Sequence, residues 1–272
     1  MATWIRRHQL VAFFGLTYAI SWAWWIPTAI AGGHASHFPG LLGPMLAALI
    51  LTPIVSGRRG FRDLLARMAR WRVPLRWYAA AAAPFAMALA AYGLLAIVGR
   101  APSWSSFAWM PGIPAVTWIG EFAIVVLING YGEETGWRGF AWPRLRERHT
   151  LGGAALILAV PWAAWHVPTI FLDTGMRGFP LLMLPAFFVG MAAGAVVLGW
   201  LYEHAHSSIL IVALWHAFLN MGSATTGSEG FIQMVVTTFV IVWAVDILQR
   251  ERARERASSA PVPSELRPAA SR

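Results

Sequence analysis

Long apolar runs separated by short polar stretches make up most of the chain. A helix that crosses a bilayer needs about 20 mostly apolar residues. Eight segments approach that length: 9–31, 40–56, 76–99, 114–131, 152–171, 180–202, 207–222 and 230–248. The segments 40–56 and 207–222 are short, so seven spans is the rival count. The pattern predicts an all-α, polytopic integral membrane bundle of about eight transmembrane helices.

Residues 57–73 show a different pattern. Phe61, Leu64, Leu65, Met68 and Trp71 recur at helical spacing, and arginines occupy most of the other positions. Such a pattern predicts a short basic amphipathic helix that lies on the cytoplasmic leaflet. A solvated connector is the alternative.

The composition supports the membrane class and excludes others. Charged residues make up 12% of the chain and hydrophobic ones 58%, whereas a soluble domain carries roughly 25% charged residues. So few charges cannot cover a water-facing surface of this size. The net charge of +9 does not indicate nucleic acid, because the arginines lie between apolar runs and in the tail. The absence of cysteine excludes disulfides and thiolate chemistry.

The arginines also predict an orientation. With the N-terminus in the cytoplasm and eight alternating helices, 18 of the 21 arginines fall on the cytoplasmic side, as the positive-inside rule requires. Both termini are then cytoplasmic. The first run, 9–31, exceeds the roughly 7–15 apolar residues of a signal peptide, so we expect a retained helix rather than a cleaved leader. Residues 249–272 are charged and rich in Ser, Pro and Ala, which predicts a disordered basic tail.

The first candidate motif is the hexapeptide from Glu133 to Arg138. Ionisable groups within a membrane are costly and usually functional. On a helix, Glu134 and Arg138 are four residues apart and face one another, so an ion pair can offset the cost of burying both. Glu133 points about 100° away, which leaves it without a local partner and free to face a water. This spacing predicts a structural Glu134–Arg138 pair and a chemical role for Glu133. The alternative is that both glutamates meet water at a helix end.

Two further motifs place polar side chains in apolar segments. His166 follows Trp162 by one helical turn, and the indole can pack against the imidazole. His216 and Asn220 are also one turn apart and share a helix face, so both could donate hydrogen bonds to a developing oxyanion. Each motif alone is more typical of a structural role. A single His in an apolar segment is usually a hydrogen-bonded core residue, and a His–Asn pair often holds membrane helices together.

Together these residues suggest hydrolysis by one of two schemes. In the first, Glu133 and His166 activate a water as general bases, while His216 and Asn220 hold the carbonyl oxygen. In the second, Glu133, His166 and His216 bind a catalytic zinc that carries the water. The His-Glu-x-x-His signature of many zinc proteases is absent. The sequence leaves zinc and a metal-free glutamate mechanism equally open.

Three motifs, in this order, resemble those of the CAAX-protease and bacteriocin-processing family: Glu133-Glu134-x-x-x-Arg138, Trp162-x-x-x-His166 and His216-x-x-x-Asn220. The family includes eukaryotic Ras-converting CAAX prenyl endopeptidases and bacterial Abi-type proteins. The resemblance implies an intramembrane (metallo)endopeptidase whose site opens to the cytoplasm. It implies that Glu133 and His166 activate water, that His216 and Asn220 stabilise the oxyanion, and that Glu134 and Arg138 matter. Trp162 departs from the usual Phe but keeps an aromatic support.

The resemblance gives a domain plan and leaves alternatives. Residues 1–114 would hold N-terminal spans and the basic helix, 115–222 the catalytic core, and 223–248 the last span. A bacterial cytoplasmic membrane is the expected location, with the bilayer and a peptide substrate as partners. A catalytically silent immunity or scaffold protein on the same fold is the rival function. A small-solute transporter is remote, because no internal repeat is visible.

One geometrical difficulty remains at this level. If the fifth span enters from the cytoplasm at residue 152, His166 lies ~21 Å along it, whereas Glu133 lies nearer the cytoplasmic end of its own helix. The two side chains meet only if helices tilt or if the fifth span starts below the membrane surface. Pro161 and Pro168 could bend it.

Overall fold

All regular secondary structure in the part that the structure describes is helical. A computed structural model covers residues 1–109, 117–174, 176–177, 180–228 and 230–259, and these contain no strand, which confirms the all-α prediction. The α-helices are α1 Ala2–Arg7, α2 Gln9–Ile30, α3 Phe38–Leu41, α4 Gly43–Met68, α5 Leu75–Ile97, α6 Trp118–Val125, α7 Gly132–Gly136, α8 Trp142–Arg146, α9 Leu151–Trp165, α10 Leu184–His204, α11 Ile209–Ser223 and α12 Phe231–Ser259. Short 3₁₀ turns lie at Trp104–Ser106, Val167–Phe171 and Leu181–Met183.

Six helical stretches are long and apolar enough to cross a membrane. They are Gln9–Ile30, Phe38–Met68, Leu75–Ile97, Leu151–Phe171, Leu184–His204 and Phe231–Ala257. The apolar helix Ile209–Ser223 is shorter than these. Many large apolar side chains on these helices face outward, as lipid contact requires. The chain is therefore an integral membrane protein, and the six stretches coincide with six of the eight predicted segments.

The predicted span at 114–131 belongs to a longer helical path through residues 118–146. Residues 114–116 lie outside the described part of the chain. Two π-helical turns, Val126–Tyr131 and Trp137–Ala141, flank the five-residue helix α7. The Glu133-Glu134 pair therefore lies inside a helical path and not at its end, which contradicts the alternative of water-facing glutamates. Inserted π turns are frequent at functional sites.

Glycines let α7 approach its neighbours closely. A Cβ atom on Gly136 would lie 2.5 Å from the carbonyl oxygen of Pro44, and one on Gly132 would lie 2.9 Å from that of Leu41. On the preceding π turn, a Cβ on Gly130 would lie 2.6 Å from the carbonyl oxygen of Ala213. Small residues of this kind allow backbones to meet within a membrane, so α7 is packed between the start of α4 and α11.

The predicted basic helix is present as the second half of α4. Gly57 has φ of +65° and kinks α4 at the predicted boundary, and glycine tolerates this left-handed conformation. Helical structure ends at Met68, five residues earlier than predicted. Leu64 is fully buried and lies against Gly139, so this half of α4 packs on the protein as well as carrying arginines outward.

The C-terminal prediction is wrong for its first part. Helix α12 continues through residue 248 to Ser259, so residues 249–259 are helical and not a disordered tail. Arg250 pairs with Asp246 and Arg254 with Glu251 at helical spacing, and such pairs support an exposed helix. Residues 260–272 lie outside the described part of the chain.

Candidate active site

The candidate residues come from α7, the end of α9 and the middle of α11. Five of them form one connected cluster of hydrogen bonds and ring contacts: Glu133, Glu134, Arg138, Trp162 and His216. All five are buried. Residues up to 83 positions apart in sequence therefore meet within one apolar bundle.

Glu133 is held by two indole groups. Its Oε2 accepts a hydrogen bond of 2.8 Å from Trp162 Nε1 and one of 3.3 Å from Trp137 Nε1. Its Oε1 lies 3.8 Å from Nε2 of His216. The prediction that Glu133 lacks a local partner is thus wrong, because Trp137 follows it by four residues and shares its helix face. One carboxylate oxygen is fixed by donors, and the other is directed towards His216.

One carboxylate oxygen of Glu134 contacts both the guanidinium of Arg138 and the imidazole of His216. Its Oε1 accepts a hydrogen bond of 3.0 Å from Arg138 and lies 2.7 Å from Nδ1 of His216. The predicted Glu134–Arg138 ion pair is therefore present, with both side chains at 0% exposure. The guanidinium of Arg138 also stacks 4.4 Å from the ring of Trp162. Since an ionised carboxylate only accepts, Nδ1 of His216 carries the proton of this bond.

His166 caps the C-terminal end of α9. Its Nδ1 lies 2.8 Å from the carbonyl oxygen of Trp162, which can only accept, so Nδ1 donates and the neutral ring keeps Nε2 as an acceptor. The rings of Trp165 and Phe187 flank it at 4.8 Å and 5.9 Å. The ring centroid of Trp162 lies 6.4 Å from that of His166.

The end of α9 is fastened by α2, and this end carries Trp162 and His166. Tyr18 donates to the carbonyl oxygen of Pro161 at 2.5 Å, and Trp22 donates to that of Trp165 at 3.1 Å. The second bond satisfies a carbonyl that the helix terminus leaves free. With α9 held in this way, Trp162 reaches Glu133 from the neighbouring helix.

Asn220 is the one predicted site residue that joins no hydrogen bond among those of the described residues. It is half-buried and follows His216 by one turn of α11. The sequence analysis missed Trp137 and Asn129. Asn129 is 95% buried, its side-chain oxygen has no partner, and it precedes Glu133 by one turn. Helical spacing from Glu133 was the signal that could have found both.

The predicted three-ligand zinc site does not fit this arrangement. In the described part of the chain, no three His, Asp or Glu side chains are grouped so as to hold a metal ion. We therefore derive no chemical step through a metal.

Comparisons with known proteins agree with the three motifs. Residues 114–222 match the family model described as Type II CAAX prenyl endopeptidase Rce1-like. Over 257 residues the chain is 22% identical to a CAAX prenyl protease 2 of Methanococcus maripaludis. The aligned region covers 87% of this chain and 92% of that relative. The resemblance inferred from the motifs is confirmed, and every candidate site residue falls inside the matched region.

Proposed function

We propose that this chain, a membrane protein similar to type II CAAX prenyl endopeptidases, is an intramembrane endopeptidase that hydrolyses a peptide bond at the cytoplasmic membrane face. The observation that carries the proposal is the placement of Glu133. It lies 98% buried among apolar helices, with one oxygen fixed by two indoles and the other facing His216. A carboxylate is costly to bury, and this one lacks an arginine of its own.

Glu133 is the proposed general base. A gap of 3.8 Å between Glu133 Oε1 and His216 Nε2 is too long for a direct hydrogen bond and suits a bridging water. Glu133, assisted by the acceptor Nε2 of His166, takes a proton from the attacking water as its oxygen bonds to the carbonyl carbon. The same proton passes to the leaving amine nitrogen as the C–N bond breaks. Such catalysis contributes about 10²–10⁴-fold.

His216 and Asn220 are the proposed oxyanion donors. The amide of Asn220 is one turn from His216 and has donors to offer. Because Nδ1 of His216 already donates to Glu134, the ring donates through Nε2 only as an imidazolium. Glu134 therefore orients His216 and balances its charge. A single oxyanion donor is typically worth about 10²–10³-fold in rate.

The proposed topology adds two spans to the six long ones. Helix α11 and the path through residues 118–146 would also lie in the membrane, with 115–222 as the catalytic core. Eight spans place both termini in the cytoplasm and keep 18 of 21 arginines there, which supports the orientation. A bacterial cytoplasmic membrane remains the expected location.

The test is cleavage of a library of membrane-anchored peptides by the purified, detergent-solubilised protein. We expect Glu133→Gln to lose at least about 10²-fold in rate with unchanged thermal unfolding, because an amide oxygen can still accept from both indoles. Glu147→Gln, which changes an exposed glutamate of the same region, is the matched control and should cleave normally. Treatment with a chelator should leave the wild-type rate unchanged if the scheme is metal-free.

Two outcomes would overturn this proposal. Full activity of Glu133→Gln would remove the general base. Loss of wild-type activity together with one stoichiometric metal on chelation would restore the zinc scheme.

A further inference from the structure

A second polar site lies apart from the cluster around Glu133. A cavity of about 460 Å³ opens between the second half of α4, residues 139–146 and the junction of α10 with α11. Four arginines and two acidic residues supply its charged lining: Arg67, Arg70, Arg144, Arg146, Asp63 and Glu203. The lining therefore has an excess of two positive charges. A cavity of this size can hold a small ligand or a headgroup.

The two carboxylates are already engaged. Glu203 accepts hydrogen bonds from Arg146 at 2.6 Å and from the indole of Trp142 at 2.8 Å. Asp63 lies 2.9 Å from Nε of Arg67. These contacts neutralise two of the four guanidinium groups and leave Arg70 and Arg144 without a carboxylate partner in the cavity lining.

The guanidinium groups also keep donors that no protein atom uses. Arg67 is 86% buried and donates through Nη1 to the carbonyl oxygen of Gly139 and to the hydroxyl of Tyr202. Its Nε faces Asp63. Arg144 and Arg70 donate only to neutral oxygens, namely those of Gln9, Phe140 and His206. These two guanidinium groups therefore have no anionic acceptor in the lining, and a bound anion would supply one.

We propose that this cavity binds the phosphate group of an anionic lipid headgroup. Planar guanidinium forks match phosphate oxygens in pairs. Basic pockets between membrane helices at the cytoplasmic side suit such headgroups. The neighbouring face of α4 carries exposed arginines at 58, 59 and 62, which would attract anionic lipid to the same end of the bundle.

The bound phosphate would be linked to the candidate active site through one residue. Arg67 contacts the carbonyl of Gly139, which directly follows Arg138, the partner of Glu134. Ordering Arg67 therefore steadies the π turn that positions Arg138. The binding claim itself does not depend on the peptidase activity.

The test is lipid binding to the intact detergent-solubilised protein, measured by native mass spectrometry and thermal unfolding. The probes are phosphatidylglycerol, phosphatidylcholine with the same acyl chains, and inorganic phosphate. We expect phosphatidylglycerol to bind and raise the unfolding temperature. The variant Arg70→Gln/Arg144→Gln should raise the apparent Kd for phosphatidylglycerol at least about tenfold. The control Arg58→Gln/Arg59→Gln removes the same charge on the neighbouring face of α4, outside the cavity, and should weaken binding far less.

A third variant covers the case in which the double variant misfolds. Ser56→Phe would fill the cavity from α4 while it keeps every arginine, and it should also lose the bound lipid. Equal loss in the control variant would reduce the effect to general surface attraction and overturn the proposal. Binding of inorganic phosphate that matches or displaces phosphatidylglycerol would assign the site to a soluble anion and overturn the lipid source.

Discussion

Two adjacent carboxylates differ in their neighbours and therefore in what they can do. Glu134 shares one oxygen between Arg138 and His216, so its charge is balanced and its position is fixed. Glu133 accepts only from neutral indoles and keeps an oxygen towards His216. The oxygen of Glu133 that faces His216 has no direct hydrogen bond and can accept from a substrate water, which favours Glu133 as the proposed base.

The ion pair gives the first residue-scale prediction. Glu134→Ala leaves the fully buried Arg138 without its carboxylate, and breaking a buried pair in this way costs about 3–5 kcal/mol. We expect a lower yield and a lower unfolding temperature in detergent, at least as marked as any loss of rate. Replacing both partners, as Glu134→Ala/Arg138→Met, should recover part of that stability.

The stability of the double variant relative to the single one decides the outcome. If Glu134→Ala has wild-type yield and unfolding temperature and loses only rate, the pair has no structural role. If the double variant is no more stable than the single one, the cost does not come from the unpaired guanidinium.

Sequence spacing predicted the contacts within one helix and missed those between helices. The Glu134–Arg138 pair follows from a spacing of four, and the Trp137–Glu133 bond could have been found by the same rule. The link from His216 to Glu134 spans 82 positions, and no local pattern encodes it. The identity of the second indole donor, Trp162, depends likewise on how α9 meets α7.

At the scale of elements, close backbone approach positions α7 more than side-chain packing does. Gly132 and Gly136 lie one turn apart on the face that meets the start of α4. This contact with α4 fixes the distance of Glu133 and Glu134 from α9 and α11. Hydropathy predicted where the long helices begin to within a few residues, since lipid-facing segments must be apolar and helical. It could not predict the π turns, because their extra residues do not change which residues are apolar.

The glycine contact gives an element-scale prediction. Gly136→Ala would place a Cβ atom 2.5 Å from the carbonyl oxygen of Pro44, and backbone cannot yield as a side chain can. We expect α7 to shift, with a loss of about 1–3 kcal/mol in stability and a fall in cleavage rate. Gly93→Ala is the control, because nothing lies within 4 Å of its added methyl group. If the two variants have the same unfolding temperature and the same cleavage rate, the close approach of α7 to Pro44 does not position α7.

At the scale of the whole molecule, the polar cluster lies deep in an apolar bundle. Glu133 precedes Arg144 by eleven residues, which is ~16 Å along a helix at 1.5 Å per residue. His166 lies at the end of α9 remote from Arg146 and His149. Six of the eight predicted spans could be found from hydropathy alone. The depth of the site was not, because it depends on where α9 begins and on how α2 holds its end.

Depth gives a prediction for the enzyme in oriented proteoliposomes. We expect cleavage of substrates offered on the cytoplasmic side, provided that the cleaved bond can reach the cluster. An extended chain covers about 3.3–3.6 Å per residue, so a path of ~16 Å requires roughly five extended residues. A series of substrates with a folded domain placed two to twelve residues from the bond should be cut only above that spacing. Cleavage that ignores the spacer, or occurs only from the opposite side, would contradict this route.

The buried position of Glu133 would therefore set a minimum length for the unfolded segment of a substrate. A folded cytoplasmic domain cannot enter the bundle, so a protein with a short or structured terminus would pass uncut whatever its sequence. A protein with a loose terminus already held at the bilayer could thread it into the site. The depth of one carboxylate would in this way select substrates by the length of their unfolded ends before any side chain is recognised.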